Sequence, residues 1–105
     1  MEDRREFEKS VSYADVYEWL RQVEASGTLG VSFLVTLAFD RKLIQVVPRV
    51  TATLYRKKVD GNGQSFIGQA AVTYGRGGEV QTLPAAMLKA LLIIDRDVGL
   101  DELIG

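Results

Sequence analysis

The order of periodicities along the chain predicts an α+β fold: an N-terminal helix, an antiparallel meander sheet of three or four strands, and a C-terminal helix. Three observations carry this. Apolar residues recur at three and four over 13–25; they alternate strictly over segments between 31 and 74; and a second helical period follows Thr82. Short turn-forming runs join the alternating segments, which suits hairpins and not the long crossovers of βαβ units. At 105 residues the chain has room for one core. We expect a flexible N-terminal segment over 1–11 and a single domain over 12–105, since the mixed-charge run "MEDRREFEKS" has no steady apolar period.

Ser12 opens the first helix as an N-cap, with Asp15 three residues on in the reciprocal position. Tyr13, Val16, Tyr17, Leu20 and Val23 form its apolar stripe, Trp19 borders it, and Gly27 stops it. In "VSFLVTLAF", Val31, Phe33, Val35, Leu37 and Phe39 share one strand face; Ser32, Leu34, Thr36 and Ala38 share the other. "DRK" reverses the chain. A long strand, or two short ones, then runs from Leu43 to Lys58, with Ile44, Val46, Val50, Ala52 and Leu54 on one parity. Pro48 shares that parity and implies a bend, a bulge or an edge.

"VDGNGQ" is turn chemistry, since Asp-Gly and Asn-Gly reach positive φ cheaply. "SFIGQAAVTYG" returns as a strand, with Phe66, Gly68, Ala70, Val72 and Tyr74 facing one way and Ile67, Gln69, Ala71 and Thr73 the other. The small residues there leave room for something to lie close against the sheet. "GRGG" reads as a mobile loop and "EVQT" as a short fourth strand. Thr82 caps the last helix, Pro84 sits in its first turn, and Met87, Leu88, Leu91, Leu92 and Ile94 form its apolar face. "DRDVG" ends it, and "LDELIG" adds one further turn. The expected core comprises Leu20, Phe33, Val35, Leu37, Val50, Ala52, Leu54, Leu88 and Leu91.

The inventory excludes much chemistry. With no cysteine there are no disulfides; with no histidine, zinc sites and imidazole catalysis lose their commonest participant. "GRGGEVQT" lacks the lysine and the spacing of a phosphate loop. "DRDVGLDE" has four carboxylates, but its glycine falls one place early for a calcium loop. No nucleophile motif appears. We expect no enzyme activity, no cofactor and no metal. No apolar run reaches the ~18 residues of a membrane span, and no secretory signal is visible, so a cytoplasmic protein is expected.

The charge is unevenly spread. Residues 25–78 hold seven bases and two acids, while the flanking regions are each net acidic. Within "RVTATLYRKKVDGNGQSFIGQAAVTYGRGG" the parity opposite Val50, Ala52 and Leu54 carries Arg49, Thr51, Thr53, Tyr55 and Lys57. Arg56, Lys58 and Arg76 add charge nearby. Cations for phosphates, hydroxyls for hydrogen bonds and a ring for stacking are what a sheet uses to hold single-stranded nucleic acid. The alternative is a protein-interaction or structural adaptor acting as a homo-oligomer. Leu34, Ala38, Ile67 and Ala71, with Leu100, Leu103 and Ile104, supply its expected homodimer surface.

The order helix, three strands, helix resembles that of double-stranded RNA-binding domains, in topology alone: "TLPAAMLKALL" carries only Lys89 where that family has a lysine-rich helix start. "RVTATLYRKK" and the later helix are similar in arrangement to Whirly-like and positive-cofactor-like single-strand binders, which dimerise through helices, though no motif is shared. Acidic secretion chaperones have a related order, which implies a protein partner.

Overall fold

A computed structural model describes residues 10–40, 45–58 and 63–100. Helix α1 spans Tyr13–Glu24, strands β1, β2 and β3 span Leu29–Asp40, Gln45–Lys57 and Gln64–Thr73, and helix α2 spans Leu83–Val98. The strands form one antiparallel sheet in the order β1-β2-β3. Both helices pack on one face of it: α1 against β1 and α2, and α2 against β3 and β2. The α+β meander read from the sequence is therefore the fold.

Local chemistry fixes the helix ends. At α1 the Asp15 carboxylate accepts from the Ser12 N–H at 2.8 Å and from its hydroxyl at 3.1 Å. One turn on, Arg21 pairs with Glu18 at 2.6 Å, and its guanidinium holds the Glu18 carboxyl below the ordinary carboxylate value. At α2 the Thr82 hydroxyl accepts from the Ala85 N–H at 3.3 Å, and Pro84 occupies the first turn, where an N–H would have no helical partner. Gly99 closes α2 in the left-handed region, at φ 65°. The Asp95 carboxylate, which opposes the helix dipole, accepts from the Leu100 N–H at 3.2 Å and so caps the end.

Strand β2 is continuous through Pro48. The Pro48 carbonyl accepts from the Tyr74 N–H at 2.9 Å, on the β3 side, where β3 has just ended. The missing proline N–H would point the same way, so the ladder to β1 loses nothing. Val80 makes only an isolated bridge to Tyr74, so the sheet has three strands among the described residues. The "GRGG" segment is a closed turn, not a free tip: Gly75 and Gly77 take positive φ, and the Gly75 N–H donates to the Val80 carbonyl at 2.9 Å.

The core lies between sheet and helices. Leu29, Val50, Leu54, Val72, Leu91 and Ile94 are its largest fully buried side chains. Ala70, Ala85, Ala86 and Ala90 let α2 approach the sheet closely. Gly68 marks the tightest point: a Cβ there would stand 3.2 Å from Val98 Cγ1 and 3.5 Å from Ile94 Cγ2. The element facing the small residues of β3 is thus the chain's own second helix.

Several core expectations need correction. Leu20, Phe33 and Leu88 are half-buried, while Tyr13, Tyr17 and Leu92 are exposed. Val35 and Leu37 have the expected parity but are 50% and 73% exposed. The reason is length. Twelve residues of β1 extend ~40 Å, whereas sixteen residues of α2 extend ~24 Å and twelve of α1 ~18 Å. No described helix reaches the far end of the β1–β2 hairpin. A bulge between Leu54 and Tyr55 also inverts the parity at the start of β3: Phe66 stands opposite Tyr55, and Ile67 turns to the core. Of the expected dimer surface, Ile67 and Leu100 are therefore core residues. Leu103 and Ile104, the "DRK" and Asn-Gly turns, Leu43 and Ile44, and most of segment 1–11 lie outside the described residues; Val11 packs on the core.

Leu54→Ala should cost about 2–5 kcal/mol in urea unfolding, the range for a fully buried leucine. Gly68→Val should cost about 1–3 kcal/mol by pushing α2 off β3, seen as a lowered urea midpoint.

Candidate functional site

The sheet face away from the helices is open, and β2 runs along its middle. Alternation puts Arg49, Thr51, Thr53, Tyr55 and Lys57 on this face. Register supplies their neighbours. Thr36, Arg49 and Thr73 form one row; Leu34, Thr51 and Ala71 the next; then come Ser32, Thr53 and Gln69. The Gln69 amide reaches the Thr53 hydroxyl at 3.4 Å, and the Thr36 hydroxyl donates to the Arg49 carbonyl at 3.2 Å. Both contacts are exposed, so the polar groups keep capacity for a further partner.

Beyond the bulge the row becomes Gly30, Tyr55 and Phe66. The Tyr55 ring lies over Gly30: a Cβ on that glycine would fall 2.5 Å from ring carbon Cζ. The ring thus occupies the space a side chain on β1 would need there. Phe66 stands beside Tyr55 and is 67% exposed. Lys57 and Gln64 form the last row, and the Lys58 N–H donates to the Gly63 carbonyl at 3.4 Å to close the hairpin. Between this end and the turn after α1 lies an open cleft of about 680 Å³, lined by Thr28, Tyr55, Lys57, Lys58 and Gln64 among others.

The candidate residues thus divide. Tyr55, Lys57 and Lys58 gather at one end with Phe66. Thr51 and Thr53 form the middle. Arg49 lies ~27 Å from Lys57, eight strand residues away. Arg56 has the opposite parity, between Leu29 and Ser65, and is not on this face. Arg76 sits on the turn beyond the Arg49 end, where its carbonyl accepts from the Gln45 amide at 3.0 Å. None of these five cations is paired with a carboxylate among the described residues, whose ion pairs are Arg21–Glu18, Lys89–Glu79 and Arg96–Asp97. They are therefore available to external anions.

The residue that strand parity misassigned is Phe66. The signal was present: "FIG" sets two large apolar residues before a glycine, which breaks alternation and marks a bulge. The acids of the last turn of α2 do not form a metal cage among the described residues, where no group of three metal-binding side chains occurs. Asp95 is used as a cap and Asp97 pairs with Arg96, while Asp101 and Glu102 lie outside the described residues. No described helix is long and apolar enough to cross a membrane. Comparison with protein families, curated proteins and solved structures finds no match for this chain.

Gly30→Ala should destabilise the protein by about 1–3 kcal/mol, because the new methyl group displaces the Tyr55 ring. Adding Tyr55→Ala should then cost less than in the parent chain. Additive losses in this double-mutant cycle would show that ring and glycine are not coupled.

Proposed function

We propose that the chain is a non-catalytic binder of single-stranded nucleic acid, held along the open sheet face. The observation that carries this reading is the Tyr55–Phe66 pair beside Lys57 and Lys58. Two rings on an uncovered, mainly polar sheet face, next to cations without carboxylate partners, match the requirements of stacking bases and neutralising phosphates. Sheets that read unpaired bases commonly present two or three such rings, and the bulge supplies the second one here. Arg49, Thr51 and Thr53 extend the track along β2, and Arg76 prolongs it past the strand. Arg56 has no part in it. Unpaired bases are the favoured ligand because a duplex hides the faces the rings would stack on.

The exposed apolar residues at the far end of the hairpin favour a second reading, an interaction or adaptor module acting as a homo-oligomer. The two readings differ in salt dependence, since phosphate contacts release counterions and apolar contacts do not.

Fluorescence anisotropy of labelled single-stranded DNA and RNA, taken through a salt series, tests the proposal. Affinity should fall steeply with salt. Phe66→Ala should weaken binding by about 1–3 kcal/mol, roughly 5- to 150-fold, with the salt slope unchanged. Lys57→Ala should lower the slope by about 0.7, one phosphate contact on a single strand. Phe66 is a cleaner probe than Tyr55, whose ring also packs on Gly30. Binding no tighter than millimolar at low salt would end this reading.

A further inference from the structure

On the helix-side face, no described element covers the far end of the β1–β2 hairpin. Val35, Leu37, Phe39 and Val46 share that face, as the pairs Val35–Val50, Leu37–Pro48 and Phe39–Val46 show. They are 50%, 73%, 60% and 50% exposed. They continue the parity of the buried Val50, Ala52 and Leu54 without a break, so the core face runs on past the helices that cover it. Among the described residues no charged side chain lies between them, which is the composition of an interface centre and not of a solvated strand.

We infer that a second copy of this chain covers the patch, with its own inverted hairpin laid face to face on this one. Two features of the molecule select that occupant. The first is shape. Where the helices end, the molecule steps down from two layers to a single sheet. Packed sheets stand ~10 Å apart, about the thickness of one helix layer, so an inverted copy's bare hairpin fills the step while its own step is filled in return. A two-fold contact of this kind needs only one self-complementary patch, and both patches are used up.

The second point is area. At roughly 100–150 Å² for each fully exposed large apolar side chain, the four exposures amount to about 250–350 Å². A standard-size protein interface hides about 800 Å² per partner, and in homodimers some 65% of the interface is apolar. The four side chains thus supply about half or more of the apolar part, before Pro48 and the abutting helix ends are counted. This interface differs from the one expected from sequence: Leu34 and Ala71 lie on the opposite, open face. It does not depend on the nucleic-acid reading. It leaves both open faces outward, on opposite sides of the assembly.

Sedimentation velocity from micromolar to millimolar concentration tests it. The parent chain should run at twice 11.6 kDa. Leu37→Asp and Phe39→Asp should each raise the dissociation constant at least 100-fold, with the circular dichroism spectrum unchanged, because neither side chain is in the subunit core. Leu34→Asp should leave the dimer intact. The chain has no cysteine, so Leu37→Cys adds the sole thiol, and a short bismaleimide should join two copies through it. Leu34→Cys should not crosslink. A parent chain that stays monomeric throughout overturns the inference. So does a dimer that survives both hairpin aspartates, or one that Leu34→Asp breaks instead.

Discussion

A strand residue advances the chain by about 3.3 Å and a helix residue by 1.5 Å, and most features of this protein follow from that difference. β1 and β2 are twelve and thirteen residues long, yet the helices meant to cover them have twelve and sixteen. A helix would need more than twice the residues of a strand to match its length. The molecule measures 47 × 32 × 22 Å, and its covered part is shorter than its sheet. A two-layer core therefore forms at one end, and the same apolar parity continues uncovered at the other.

Within the covered part, close approach stabilises the fold. Gly68 and the alanines of β3 and α2 let the helix lie low on the sheet, so that Ile94 and Leu91 reach the floor made by Val50, Leu54 and Val72. Each of those large side chains contributes roughly 1.5–3 kcal/mol through burial, before the entropy of ordering is set against it. The surface ion pairs matter much less, since exposed pairs are commonly worth under ~1 kcal/mol. The bulge that admits Ile67 to this core is also what turns Phe66 outward. Packing on one face and the chemistry of the other are thus set by the same local irregularity.

The two faces accordingly differ in chemistry. On the open face the rings and lysines stand at the end nearest the turn after α1, and the threonines of β2 carry the track toward Arg49. On the helix side the described far end of the hairpin presents Val35, Leu37, Phe39 and Val46. Under the two proposals, ligand and partner would use different surfaces, and each would be lost by substitution without touching the other.

Alternation, turn chemistry and capping residues, read from the sequence by itself, determined the element order, the antiparallel meander, the caps at Ser12 and Thr82, the stop at Gly99, and the face on which Thr51, Thr53, Tyr55 and Lys57 stand. These are local properties, set within a few residues by backbone sterics and side-chain period. Tertiary structure decided which of the apolar faces were covered. Leu37 and Leu54 have the same parity and similar neighbours, but only Leu54 lies beneath a helix. It also decided that Arg56 stands off the open face, that Phe66 stands on it, and that the Tyr55 ring lies over Gly30. These outcomes depend on register, on one bulge and on the relative reach of helix and strand. They arise from contacts between residues far apart in the chain, which no local period encodes.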